Sequence, residues 1–230
     1  VPWSSPHSPV VPSDQWRGKS GLNAHADFVM QTDDSFGQVI AALRETGKLD
    51  NTLVICSSDN GTSAPTSKLT ELQQLGHFPS GELRGSKADI WDGGHRVPFI
   101  VSWPQQVAPA TRCTNLVCLT DVLATVAEII GQPLPTTAGE DSISFLAALL
   151  SKSAGGRSTS SDSQHAARHD VIHHSISGYF AIRRDNWKLC VCPDSGGWTD
   201  PQPSAKDWAA LEQAQQPLLL LDLRGASMVA

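Results

Sequence analysis

The sequence predicts a mixed α/β region followed by a small antiparallel sheet. Three observations carry this. A segment with helical apolar spacing, 26–46, runs through Gly47 into a short apolar run at 52–57, which is the order of an αβ unit. Three short strand-like segments separated by turn residues follow at 170–175, 178–184 and 186–192. Between the two regions, residues 151–169 are dominated by Ser and Gly, the composition of a linker.

Residues 1–24 are rich in Pro, Ser and Gly and read as an ordered loop. In the helix that follows, Phe28, Val29, Thr32, Phe36, Val39, Ile40 and Leu43 define one buried face, and Gly47 supplies the stop. Residues 52–57 form a buried strand, with Cys56 as a small hydrophobe inside it. Residues 61–95 lack periodicity and are punctuated by Gly81, Gly85, Gly93 and Gly94; long connections of this kind are usually functional or disordered. A second strand is expected at 97–103, with Pro98 at its start or on an edge, in a parallel sheet with the first. Residues 120–130 form a helix with Thr120 or Asp121 as N-cap and Gly131 after its end. A short helix is expected within 142–150, and Leu218 to Leu223 reads as a last strand. The expected organisation is therefore an α/β domain over 1–150, a linker over 151–169 and an antiparallel subdomain over 170–230.

Composition narrows the function classes. Of 230 residues, 40% are hydrophobic and 17% charged, which is a globular balance. The net charge of −6 and the absence of a basic stripe argue against a nucleic-acid surface. No apolar run is long enough to span a bilayer. The five cysteines form neither a CxxC pair nor a Cys/His ligand cluster, so a zinc ribbon is not expected. The chain starts at Val1 inside a loop-like stretch and is expected to be part of a longer protein.

Directly after the first strand come Ser57, Ser58, Asp59, Asn60 and Gly61. A carboxylate and an amide at a strand end offer hard oxygen donors suited to Ca²⁺ or Mg²⁺. Asn60-Gly61 is equally a hairpin-turn signal. The stretch 62–68 does not alternate as a second hairpin strand would. Both readings stay open on these residues alone.

Longer motifs add a resemblance. The loop Pro6-His7-Ser8-Pro9 with Gly18-Lys19-Ser20, the helix segments Ala26-Asp27-Phe28-Val29 and Asp33-Asp34-Ser35-Phe36-Gly37, and the strand end Ser58-Asp59-Asn60-Gly61 recur together in one family. The most distinctive stretch is Leu83-Arg84-Gly85-Ser86-Lys87 followed by Trp91-Asp92-Gly93-Gly94-His95-Arg96-Val97-Pro98-Phe99. Gly178-Tyr179-Phe180-Ala181-Ile182-Arg183 and Asn186-Trp187-Lys188-Leu189 complete the pattern. The chain resembles the sulfatases of the alkaline-phosphatase-like superfamily.

The resemblance implies the C-terminal portion of an alkaline-phosphatase-like α/β sandwich and hydrolysis of sulfate esters by a formylglycine nucleophile. By position it makes Asp59 and Asn60 metal ligands, for Ca²⁺ with Mg²⁺ as the alternative. Lys87 would contact the sulfate, and His7 the sulfate or the leaving oxygen. The implied substrate is a sulfated small molecule or carbohydrate, and the implied location is exported, periplasmic or lysosomal. The family's modification motif, Cys/Ser-x-Pro/Ala-x-Arg, follows none of the five cysteines, so formylglycine is expected upstream of Val1 and this chain alone is expected to be inactive. The final strand lacks the family's acidic continuation after Arg224.

Without that context Lys87 reads as a solvated lysine and His7 as an exposed loop histidine. His95 and Arg96 read as structural, with Arg96 pairing a buried carboxylate. His173 and His174 fall on opposite faces of a strand, with one of them a candidate for the substrate mouth. Trp187 and Trp198 read as core or edge aromatics. A phosphodiesterase or phosphonate hydrolase of the same superfamily, or a non-catalytic module retaining the fold, are the competing readings.

Overall fold

The computed structural model describes residues 1–151, 168–202 and 218–224. Most of the expected linker, 152–167, lies outside the described residues, as does 225–230.

The first helix, α1, spans Ala24–Glu45. Asn23 caps it, its side chain accepting from Ala26 N at 3.1 Å, which moves the start two residues ahead of the sequence reading. Asp27 in the first turn is buried and accepts from Gly18 N, Ser20 N and Ser20 Oγ, tying the N-terminal loop to the helix. Those bonds, the Ser20 hydroxyl first, hold its carboxyl below the ordinary value. Gly47, at φ +68°, follows the C-terminus as expected. The apolar face is only partly covered: Val29 and Val39 are exposed, and Phe36 meets the Trp3 ring edge-on at 6.5 Å.

Strand β1 (Val54–Ser57) pairs with β2 (Phe99–Ser102) in a two-stranded sheet. The pairing is antiparallel, with Val54 opposite Ser102 and Ser57 opposite Phe99, which corrects the expected parallel arrangement. The reason lies in the connection. It runs through α2 (Ala64–Ser67), α3 (Leu69–Gln74) and α4 (Asp92–His95), and returns to the end of the sheet where β1 stopped. β2 therefore starts there and can only run back. Pro98 precedes it and its carbonyl accepts from Ser57 Oγ at 2.9 Å. Cys56 is half-buried rather than buried.

Helix α5 (Asp121–Ile129) packs on α6 (Leu146–Leu150), and Phe145 meets Phe99 edge-on at 5.5 Å. Thr120 precedes α5 but makes no side-chain cap bond. Asp121 is instead buried, taking Cys118 N and Ile143 N and a two-pronged ion pair from Arg168 at 2.6 and 2.9 Å.

The C-terminal sheet is four-stranded and antiparallel in chain order: β3 (Asp170–His174), β4 (Phe180–Arg184), β5 (Trp187–Cys190) and β6 (Leu219–Asp222). One buried apolar cluster takes Ile90 and Trp91 from the long connection and Tyr179, Ala181, Cys190 and Cys192 from the sheet region, with Leu219 and Leu221 against it. The connection and the sheet thus share a core. Trp187 and Trp198 are more than 40% exposed and are not part of this core.

Candidate functional site

The site is built where β1 ends. After Ser57 the chain turns without pairing to a following strand and enters α2, so Asn60-Gly61 does not close a hairpin. Asp59 is exposed and Asn60 half-buried on this turn, and Ser58 Oγ donates to Asn60 O at 2.9 Å.

The turn is fastened backbone to backbone against the long connection. Gly61 N donates to Gly94 O at 2.9 Å, and Lys87 N donates to Thr62 O at 2.8 Å. A Cβ on Gly61 would lie 1.8 Å from Gly93 O, and one on Gly93 would lie 2.2 Å from Gly85 O. Only residues without a side chain let these three backbone segments meet. Asp59, Asn60 and Lys87 are thereby brought onto one cluster of loops. His7 lies elsewhere in the bonding pattern: it is exposed, its Nδ1 lies 2.9 Å from Ser8 O, and no hydrogen bond among the described residues links it to the other three.

A buried charged group supports this cluster from below. Lys188 on β5 is fully buried, and its Nζ donates to Ile90 O at 2.6 Å, Asp92 Oδ1 at 2.8 Å and His95 Nε2 at 3.1 Å. Burial raises the Asp92 carboxyl, but His95 and the Lys188 charge outweigh it and hold the group below its ordinary value. Arg96 and Arg183 each stand 3.8 Å from the other carboxylate oxygen, so Arg96 does face a buried carboxylate. His95 is pushed down, chiefly by desolvation, which fits a neutral ring accepting from Lys188. His173 stacks on it with ring centroids 3.7 Å apart, and burial pushes its pKa down to about 3. His174 is exposed, on the opposite face of β3.

Asp59 and Asn60 present a carboxylate and an amide oxygen at an exposed strand end, the donor chemistry of a hard cation. Among the described residues no group of three or more His, Cys, Asp or Glu could hold a metal ion. These two residues fit as part of a coordination shell that needs further oxygen ligands.

The comparisons with known proteins decide the family. Residues 2–132 match the sulfatase family. The chain belongs to the sulfatase family. It is 31% identical over 208 residues to the N-acetylgalactosamine-6-O-sulfatase of Bacteroides thetaiotaomicron, covering 90% of this chain and 37% of that protein. It is 27% identical over 219 residues to human arylsulfatase A, covering 94% of this chain and 40% of the human protein. Among solved structures, a Bacteroides thetaiotaomicron protein of glycosaminoglycan metabolism superposes with a TM-score of 0.75 at 29% identity, over 95% of this chain and 42% of that one. This sulfatase chain thus spans about two fifths of the length of these relatives. A phosphonate monoester hydrolase from Silicibacter pomeroyi, with a TM-score of 0.54 at 17% identity, shares the fold alone.

Three features of the site escape the sequence reading. Asp89, Asp92 and Lys188 are buried charged residues with no periodic signature. The one sequence signal that touched Lys188 and Asp92 was their place inside the family motifs. Asp89 had no signal, because apart from Ser86 N its partners, on Trp198 and Thr199, lie more than a hundred residues away.

Proposed function

We propose that this sulfatase is a sulfuric ester hydrolase acting on a sulfated carbohydrate, with Asp59, Asn60, Lys87 and His7 as this chain's contribution to the site. The observation that carries the proposal is the fastening of the Asp59-Asn60 turn to the Lys87 loop through Gly61–Gly94 and Thr62–Lys87. Two hard oxygen donors and a cationic side chain on one loop cluster suit an anion bound through a cation. The name of the Bacteroides thetaiotaomicron relative supports the substrate class.

Asp59 and Asn60 would hold Ca²⁺, with Mg²⁺ as the alternative. Bound there, the cation would neutralise charge on the sulfate and the attacking oxygen. Asn60 adds a ligand without adding negative charge, which matters for an anionic substrate. Lys87 would pair with a sulfate oxygen and bear on charge that grows as the ester bond breaks. Its main-chain bond to Thr62 ties the Lys87 backbone to the segment that follows Asp59 and Asn60. His7, free on its exposed loop to meet a substrate, would hydrogen-bond the sulfate or donate a proton to the departing oxygen. Formylglycine, for which none of the five cysteines lies in the modification motif, would supply the attacking oxygen.

The test compares Asp59→Ala, Lys87→Ala and His7→Ala in the polypeptide expressed from its complete gene. Asp59→Ala should weaken calcium binding in a titration and remove nearly all turnover. Lys87→Ala should leave calcium binding intact and lower turnover on every sulfate ester. His7→Ala should spare an activated aryl sulfate and hurt an alkyl sulfate, because a poor leaving group needs the proton. Unchanged calcium binding in Asp59→Ala would overturn the ligand assignment, and equal losses on both esters would make His7 a sulfate-binding residue.

A further inference from the structure

Lys87 sits on a short turn that does not hold itself together. Ala88, the next residue, has φ +85°, the left-handed side of the backbone map, which is unfavourable for a residue with a Cβ. Something must hold it there, and the structure identifies what does.

Asp89 is 3% exposed, and both its carboxylate oxygens are occupied. Oδ2 accepts from Ser86 N at 2.7 Å, closing the turn across Lys87, and from Thr199 Oγ1. Oδ1 accepts from Trp198 N at 2.9 Å and Thr199 N at 3.1 Å. A carboxylate offers about four lone-pair sites, so Asp89 has none left for a substrate or a metal. The same distant segment completes the enclosure. Ser86 Oγ pairs with Thr199 Oγ1 at 3.1 Å, Ala88 O accepts from Ile176 N at 2.9 Å, and a Cβ on Gly197 would lie 2.6 Å from Ala88 O.

We propose that Asp89 is a positioning residue: with Thr199 it holds the strained Ser86–Ala88 turn so that Lys87 stays fixed against the Asp59-Asn60 loop. The segment 176–199, on the far side of the linker, thereby completes the site. A carboxylate with four donors rigidifies the turn more than the side chain of a surface loop would need, and the strain sits beside the one lysine of the cluster. The proposal rests on the assignment of Lys87 to sulfate binding.

The test is a double-mutant cycle on kcat/KM in the polypeptide expressed from its complete gene, with an aryl sulfate as substrate. Thr199→Val removes one donor from Asp89, keeps the side-chain shape and leaves the three backbone donors in place. It should lower kcat/KM by about tenfold while the thermal transition stays cooperative. Lys87→Ala alone should lower it by about a hundredfold or more. In the Lys87→Ala background, Thr199→Val should then change kcat/KM by less than about twofold, since its effect passes through Lys87. Multiplying losses would overturn the proposal and show a general structural defect, leaving the role of Lys87 intact. A Lys87→Ala variant as active as wild type would overturn the site assignment itself, and the proposal with it. Asp89→Asn, which places an amide donor against one of the N–H groups, gives a second variant with the same expected pattern. Hydrogen exchange across 83–90 provides the readout besides activity: Thr199→Val should deprotect this segment and leave the amides of α1 unchanged.

Discussion

Acid should loosen this protein through His173, and the size of the effect follows from the environment of the ring. Its imidazole stacks on His95 with ring centroids 3.7 Å apart. The Lys188 ammonium is close by, 3.1 Å from His95 Nε2. Burial first, then the neighbouring His95 and the Lys188 charge, push its pKa from 6.5 down to about 3. Between these values the unfolded chain binds a proton that the folded chain refuses, so stability rises with pH across the window and falls as acid is added. At about pH 5 the loss relative to neutral pH is roughly 2 kcal/mol, from 1.36 kcal/mol per pKa unit over about one and a half units. His95 is shifted in the same direction by the same cause and adds to the slope. Urea unfolding at about pH 8 and about pH 5 measures the difference. His173→Phe keeps a planar ring on His95 but cannot be protonated, so it should lose roughly 2 kcal/mol less over that interval. An identical pH dependence in wild type and variant would refute the reasoning.

Two further perturbations probe the support and the loop contact. Lys188→Met strands the Asp92 carboxylate in the core and should cost about 3–5 kcal/mol in thermal or urea unfolding, while Lys188→Met with Asp92→Leu should recover much of it. If the single and double variants were equally unstable, the pair would not be the seat of the effect. Gly61→Ala places a Cβ 1.8 Å from Gly93 O and should both lower stability by at least about 1 kcal/mol and weaken the calcium binding proposed for Asp59 and Asn60. Wild-type calcium titration by that variant would show that the Gly61–Gly94 contact does not shape the ligand turn.

The sequence carried those elements whose signal is local. The helical spacing from Phe28 to Leu43, with Gly47 after it, and the turn residues Gly178 and Asp185-Asn186 were enough to place α1 and the hairpins of the C-terminal sheet within a few residues. What failed was the direction of β2. An apolar run such as 97–103 has no direction written in it; direction comes from where the preceding connection returns, and 61–95 has no periodicity to follow. The covering of α1 was overread for a related reason. Apolar spacing marks the face that needs a partner, not how much of one is packed on it, and Val29 and Val39 remain exposed. For the site, motif resemblance nominated Asp59, Asn60, Lys87 and His7, while the backbone bonds that join the loops of three of them could not be read in advance.

The same contrast explains why the support for the site lies so far along the chain. Loops 58–62 and 84–94 meet through glycine backbones, Gly61 against Gly93 and Gly94, so no side chain lies at the point of contact to hold that approach. Regular secondary structure does not help, since α4 is a single turn and Lys87 is on no element at all. The holding groups must therefore come from a part of the chain that is rigid for other reasons. The four-stranded sheet is such a part: its pairing fixes Lys188 under Asp92, and the bonds from Ile176 and Ser195 to Ala88 and Ile90 fix the segment that reaches Asp89. Buried charges are a weak source of net stability, because desolvation offsets much of what pairing gains. They are well suited to fixing geometry, because a misplaced partner leaves an unpaired charge in the core. In this sulfatase Asp89, Asp92 and Lys188 occur where a loop cluster has to be held in one arrangement, and a well-packed apolar replacement could match their stability without specifying that arrangement.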